Sequence, residues 1–284
     1  MILIKLGGGL GNQMFQYALY KTFIINGMEA KLDNSKYHHI DEKRKCILDY
    51  PCFNLKYELC TEKEAKKYVL GTSMLARIMV KFIGDKKTHI YEKADYEYDP
   101  SIIKCTEGYL DGFWQTWKYM DGVQNEIINC FQFVEDRPQI AMEYLQKIKE
   151  TDSVAVHVRR GDYLKLQKLY GNICTENYYR NAICKMESML RKPVFYFFSD
   201  DMDWTKKTFK DIKNSIFVDG RGDWQDYIDL QLMTECKNMI MANSSFSWWA
   251  AFLNKNASKN VICPSKWINT KETPDVYCPE WIKI

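Results

Sequence analysis

Val154-Ala155-Val156-His157-Val158-Arg159-Arg160-Gly161-Asp162 is an apolar run that ends on two guanidinium groups. On a strand alternate side chains share a face, so Val154, Val156 and Val158 point one way while Ala155, His157 and Arg159 point the other. His157 and Arg159 then stand roughly 6 to 7 Å apart. The pattern predicts a strand from Ser153 to Val158, and the chain beyond it alternates regularly. Helices are expected over Glu176–Leu190, Trp204–Lys210, Trp224–Cys236 and Phe246–Leu253, and strands over Val194–Phe198, Ser215–Val218, Asn238–Met241 and Asn260–Cys263. Short apolar strands alternating with helices specify a parallel α/β sheet, whose ligands sit at the carboxyl ends of the strands. An arginine there suits a diphosphate, because its fork binds two oxygens at once and keeps its proton. A salt bridge to Asp162 is the structural alternative, and it is expected of Arg160.

The chain opens on a similar unit. Ile2 to Leu6 is strand-like, and Gly7-Gly8-Gly9-Leu10-Gly11-Asn12-Gln13 leads into an apolar helix carrying Met14, Phe15, Tyr17, Leu19 and Phe23. The dinucleotide fingerprint needs glycine where Asn12 stands, so this turn does not match it. A glycine turn still lets backbone approach a ligand, with the Asn12 and Gln13 amides at that approach. A tight strand-to-helix turn is the simpler reading of the glycines. Residues 30 to 100 are charge-rich, with helices expected over Glu62–Leu70 and Ser73–Phe82. An aromatic stretch from Tyr109 to Tyr119 comes next, then a helix from Ile140 to Glu150. The charged Lys147 to Asp152 segment places a boundary at about 150, giving units 1–150 and 151–284.

Composition narrows the partners. With 40 Lys plus Arg against 37 Asp plus Glu, the net charge of +3 is too small to mark a nucleic-acid binder. The 46% apolar and 14% aromatic content argues against disorder and leaves enough for a sizeable core. No apolar run reaches membrane-span length, so any membrane contact is expected to be peripheral. The ten cysteines contain no Cys-x-x-Cys pair, and the first residues run into glycines instead of a signal peptide. Reduced thiols and a cytoplasmic location are therefore expected. Asp201-Met202-Asp203 fits a short metal-binding pattern, yet it stands after a strand end where acids cap the next helix, so no metal is expected.

A second junction, Met239-Ile240-Met241-Ala242-Asn243-Ser244-Ser245-Phe246-Ser247-Trp248-Trp249, runs a strand into three serines at a helix start. That arrangement suits an anion, whereas capping alone explains one serine. Trp248 and Trp249 read as core. Asp229, on the preceding helix, reads by itself as a solvated charge.

Five stretches carry a resemblance. Gly8 to Gln16, Gly112 to Tyr119, His157 to Asp162, Phe198-Ser199-Asp200-Asp201 and Ser244 to Trp249 occur in this order. Together they resemble the α-1,2-fucosyltransferases, family 11 of the glycosyltransferases, in a bacterial-sized form. The resemblance implies a GT-B type α/β architecture, with two Rossmann-like domains whose parallel sheets face across a cleft. The first domain would serve the acceptor and the second would bind GDP-fucose. The implied reaction is an inverting, metal-independent transfer of L-fucose from GDP-fucose to the 2-hydroxyl of a terminal galactose. The acceptor would be a surface polysaccharide or a lipid-linked oligosaccharide precursor, with peripheral contact at the inner face of the membrane. Carried over by position, Arg159 would bind the β-phosphate, His157 the guanosine, and Asp229 the guanine base. Ser244, Ser245 and Phe246 would line the diphosphate end, and Asn12 would approach from the first domain. Gly11, Gln13 and Asp200 join the donor site through their motifs. Asp162 is a candidate general base by position, or else the partner of Arg160. A fucosyltransferase of another linkage, or a silent sugar- or nucleotide-binding protein of this fold, remain the other readings.

Overall fold

Parallel strand pairing organises both halves of the chain. The computed structural model describes residues 1–38, 45–70, 85–93, 96–134, 138–220 and 225–284, so the helix expected over Ser73–Phe82 lies outside the described residues, as does Trp224. Two compact units result, Met1–Gln132 and Phe133–Ile284.

In the first unit β1 (Ile2–Lys5), β2 (Ala30–Asp33), β3 (His89–Tyr91) and β4 (Gly108–Asp111) form a parallel sheet in the order β2-β1-β4-β3. β1 is central, and its Ile2, Leu3 and Ile4 are fully buried. The residue pattern does not mark β2 and β3, because Ala-Lys-Leu-Asp and His-Ile-Tyr are too short to show a period. They form by docking on neighbours, with Ala30 opposite Ile2 and His89 opposite Tyr109. Helix α1 (Leu10–Ile25) buries most of its surface, including the polar Gln13, Gln16 and Thr22. α2 (Glu62–Tyr68) begins with a full capping box, in which Thr61 Oγ1 accepts from Glu64 N and Glu64 Oε2 accepts from Thr61 N. α3 (Gln124–Cys130) completes the unit.

The second unit carries helices α4 (Gln139–Glu150), α5 (Glu176–Met189), α6 (Met202–Phe209), α7 (Asp226–Glu235) and α8 (Ser245–Leu253). Its strands are β5 (Asp152–Val158), β6 (Pro193–Ser199), β7 (Ser215–Phe217), β8 (Asn238–Ile240), β9 (Val261–Cys263) and β10 (Ile282–Lys283). All pair in parallel in the order β10-β9-β8-β5-β6-β7. Counted from β5, this is the 3-2-1-4-5-6 order of doubly wound nucleotide-binding sheets. The order reverses between β5 and β8, so the carboxyl ends of these two strands flank the crevice where such sheets hold ligands.

The boundary at 150 is corrected to 132. The charged Lys147 to Asp152 segment is the last turn of α4 and its junction with β5, within the second unit, because α4 buries Ala141, Leu145 and Ile148 and packs against β5 and α7. Val154, Val156 and Val158 face Tyr179, Ile183 and Met186 of α5, in the core shared with Phe195 and Phe197 of β6. The opposite face of β5 carries His157 towards α8, as strand alternation requires. α8 is apolar all round and buried from Ser247 to Leu253. No described helix is long and apolar enough to cross a membrane.

Candidate functional site

At the switch point of the second unit, β5 delivers His157 into the interior and Arg159 to the half-exposed rim. His157 Nδ1 shares a 2.5 Å hydrogen bond with Ser247 Oγ, which also accepts the Ala242 backbone N–H at 3.0 Å. One serine hydroxyl thus ties the end of β5 to the β8–α8 junction. The ring of Phe246 lies 5.6 Å from that of His157, and Tyr179 donates its hydroxyl to the His157 carbonyl. Ser247, the third serine of the junction, receives no role from the motifs, and the structure pairs it with His157. Its position three residues after Ser244, where a side chain can reach back to the helix entry, is the signal in the sequence that points to it.

Burial, and then the charge of Arg159, push His157 down to about 3, so its imidazole stays neutral. An unfolded histidine takes up its proton near pH 6.5. Between about 6.5 and 3 the unfolded chain therefore binds more protons than the folded one, and His157 makes stability fall as the pH falls. A His157→Gln variant should lose less thermal stability on acidification through this window. Equal slopes in both proteins would show that His157 protonates within the fold.

The partners of the arginines differ from expectation. Arg159 donates from Nε and one Nη to Asp162 Oδ1 at 3.2 and 2.7 Å, and its other Nη lies 3.1 Å from Asp200 Oδ2. Arg160 pairs with Asp201 instead of Asp162, at 3.0 Å, and stacks 3.8 Å over the ring of Trp204. The expected Arg160–Asp162 bridge is thus replaced. The chain turns at Gly161, so Asp162 reaches back to the arginine at the strand end, and Arg160 on the opposite face meets the start of α6. Burial opposes the charge of Arg159, but Asp200 and then Asp162 outweigh it and raise its affinity for the proton.

Asp200 also accepts the Arg160 backbone N–H at 2.9 Å. A Cβ on Gly161 would collide with that carboxylate, which explains a glycine at this position. Asp200 thus joins the Arg160 backbone to the Arg159 guanidinium. Asp201 caps α6 through Trp204 N and holds Arg160, so the Asp-x-Asp pattern is used as a helix cap.

Ser244 is the N-cap residue of α8 without a side-chain cap bond, and Ser245 and Phe246 form the first turn. Backbone N–H groups and hydroxyls at a helix N-terminus favour an anion. Tyr163, at 2.8 Å from the Asn243 carbonyl, links the turn after Arg159 to this junction, and the Arg159 guanidinium lies 5.6 Å from its ring centre. Asp229 is half-buried in the first turn of α7, a helix that packs on α8.

In the first unit the glycine turn is held by side chains. Gly8 has φ +83, and a Cβ there would meet Asn12 at 2.6 Å. Gln13, expected at the ligand, is fully buried. Its Nε2 donates to the Gly8 and Lys45 carbonyls and its Oε1 accepts from Ile47 N, so it fastens the turn to the 45–47 segment. Gln16 joins Gly7 N to the Gly112 carbonyl. Gly11 lies buried within α1. Asn12 is half-buried, and its Oδ1 accepts from Gln115 at 3.0 Å.

Several proteins align with this chain over all or nearly all of its length. An Escherichia coli α-1,2-colitosyltransferase is 32% identical, covering 100% of this chain and 99% of that protein. The O-antigen biosynthesis glycosyltransferase WbnK of E. coli is 31% identical over 98% and 99%. The mouse galactoside 2-α-L-fucosyltransferase Sec1 is 24% identical over 100% of this chain and 74% of its own length. Among solved structures, fucosyltransferase NodZ from Bradyrhizobium superposes with a TM-score of 0.50 at 11% identity, covering 88% of this chain and 91% of that one. The architecture is therefore GT-B type. The family model described as glycosyl transferase family 11 matches residues 1–284, and the chain belongs to that family.

Proposed function

We propose that this protein transfers L-fucose from GDP-fucose to the 2-hydroxyl of a terminal galactose on a glycan, with inversion and without a metal ion. The observation that carries this reading is Arg159, aimed by Asp162 and Asp200 at the switch point beside the neutral His157 and the first turn of α8. In the reaction the bond from fucose C1 to the β-phosphate oxygen breaks as the acceptor oxygen bonds to C1 from the opposite face. Negative charge grows on the departing phosphate, and a fixed guanidinium with nearby N–H and hydroxyl donors stabilises it. Asp162 is half-exposed, so the diphosphate displaces it from the guanidinium. The released carboxylate is our assignment for the proton of the acceptor hydroxyl. Ser244, Ser245 and Phe246 line the diphosphate end, and Asp229 accepts from the guanine.

The similarity to the mouse galactoside 2-α-L-fucosyltransferase supports the 2-linked galactoside, and that to the E. coli colitosyltransferase supports a second reading with a colitosyl donor. Incubation with GDP-fucose and methyl β-D-galactopyranoside should release GDP and form a 2-O-fucosylated product at the same rate with and without EDTA. Absence of product with every β-galactoside overturns the fucosyl reading. Faster transfer from GDP-colitose selects the second one, and activity lost to EDTA and restored by a divalent cation overturns the metal-free step.

A further inference from the structure

The loop 112–116 after β4 is held in a demanding conformation. Trp114 sits at φ +58, which a bulky side chain adopts only where its surroundings impose it. Glu92 imposes it: its Oε2 accepts Phe113 N–H at 2.6 Å and its Oε1 accepts Trp114 N–H at 3.1 Å. A Cβ on Gly112 would lie 2.5 Å from the Cβ of Glu92, so only glycine lets the two segments approach. Gln16 secures the Gly112 carbonyl from the other side. Such strain clusters where a protein handles a ligand.

The loop builds a cavity of about 240 Å³ between Trp114, Tyr98, Tyr119 and Glu97, with the exposed Tyr91 at its rim. Tyr98 and Tyr119 are tilted at 5.0 Å, and Trp114 meets Tyr119 edge-on at 6.0 Å. The Trp114 indole N–H is buried with no hydrogen-bond partner among the described residues, which is unusual for a polar group in an interior. Three carboxylates, Glu92, Glu97 and Asp99, line the cavity against one ammonium, that of Lys93, which disfavours a diphosphate. Aromatic walls combined with carboxylate acceptors suit an uncharged polyol, whose C–H face packs on rings while its hydroxyls donate. The volume admits one monosaccharide residue.

We propose that this cavity of the first unit is a monosaccharide subsite that takes an uncharged pyranose of the acceptor glycan, with Tyr98 against its C–H face and Glu97 accepting from its hydroxyls. Only its assignment to the acceptor rests on the glycosyl-transfer reading; sugar binding stands on the cavity. The test is the ¹⁵N spectrum of the tryptophan indoles of the whole chain, titrated with methyl β-D-galactopyranoside, lactose and N-acetyllactosamine. The Trp114 resonance, identified by its loss in Trp114→Phe, should move saturably with at least one of them. In Tyr98→Ala and in Glu97→Gln the Kd should rise about tenfold or more, while the response to GDP stays that of the wild type. No movement with any of the three sugars, or equal affinity in both variants, overturns the subsite. Movement without any fucosyl transfer leaves the subsite standing and removes the proposed reaction, and transfer without movement does the reverse.

Discussion

Replacing Arg159 with lysine should lower fucosyl transfer by about 10² to 10³-fold while leaving the fold intact. The guanidinium is held at three nitrogens, two on Asp162 and one near Asp200, so its plane is set before any substrate arrives. A lysine ammonium keeps the charge but is a point on a flexible stem, and cannot present two parallel donors to a diphosphate. The loss should therefore be larger in kcat than in GDP binding, because the missing interaction strengthens as charge develops on the leaving phosphate. Steady-state kinetics with GDP-fucose and a β-galactoside, set beside thermal melts, measures both. Turnover near that of the wild type would remove Arg159 from the departure of GDP.

Trp248→Ala should destabilise the protein by about 3 to 5 kcal/mol, enough to lower Tm by roughly 10 °C or more. Trp248 is fully buried, stacks on Phe252 at 4.8 Å and packs against Trp249 and Trp281. Its indole N–H donates to the Val276 carbonyl at 2.7 Å, so the substitution also leaves a buried acceptor without its partner. α8 is the floor beneath Ser247 and His157, and its packing holds that pair in place. Differential scanning calorimetry decides the point. A fall of a degree or two would mean that the C-terminal segment bearing Val276 and Trp281 is not coupled to α8.

Both residues stand in stretches whose local pattern is readable. The alternation through β5 separates the valines from His157 and Arg159, and the three valines do share one core while the strand is buried on both faces. Most elements of the second unit are legible for the same reason: strands buried on both faces are nearly continuous apolar runs, and the helices between them keep an apolar stripe. β2, β3 and β10 are not legible, because each is two to four residues long and is made a strand by the edge it docks on. The unit boundary is hidden for a related cause. A run of charges looks the same whether it links two units or turns a chain within one.

The candidate site divides along the same line. Sequence order alone places Arg159 at a strand end, the serines at a helix start and the glycines at a strand-to-helix turn, since these arise from backbone geometry over a few residues. Tertiary structure decides which partners those groups take. It sets β8 beside β5, which brings Ser247 to His157 across 90 positions of chain. It also gives Asp162 and Asp200 to Arg159 and Asp201 to Arg160, and turns Gln13 inward as a fastening of the glycine turn. Periodicity is a local property that a strand or helix imposes on neighbours in sequence. The choice of a charge or hydrogen-bond partner depends on distances of a few ångströms between distant segments, and these exist only once the sheet has been ordered and its helices packed.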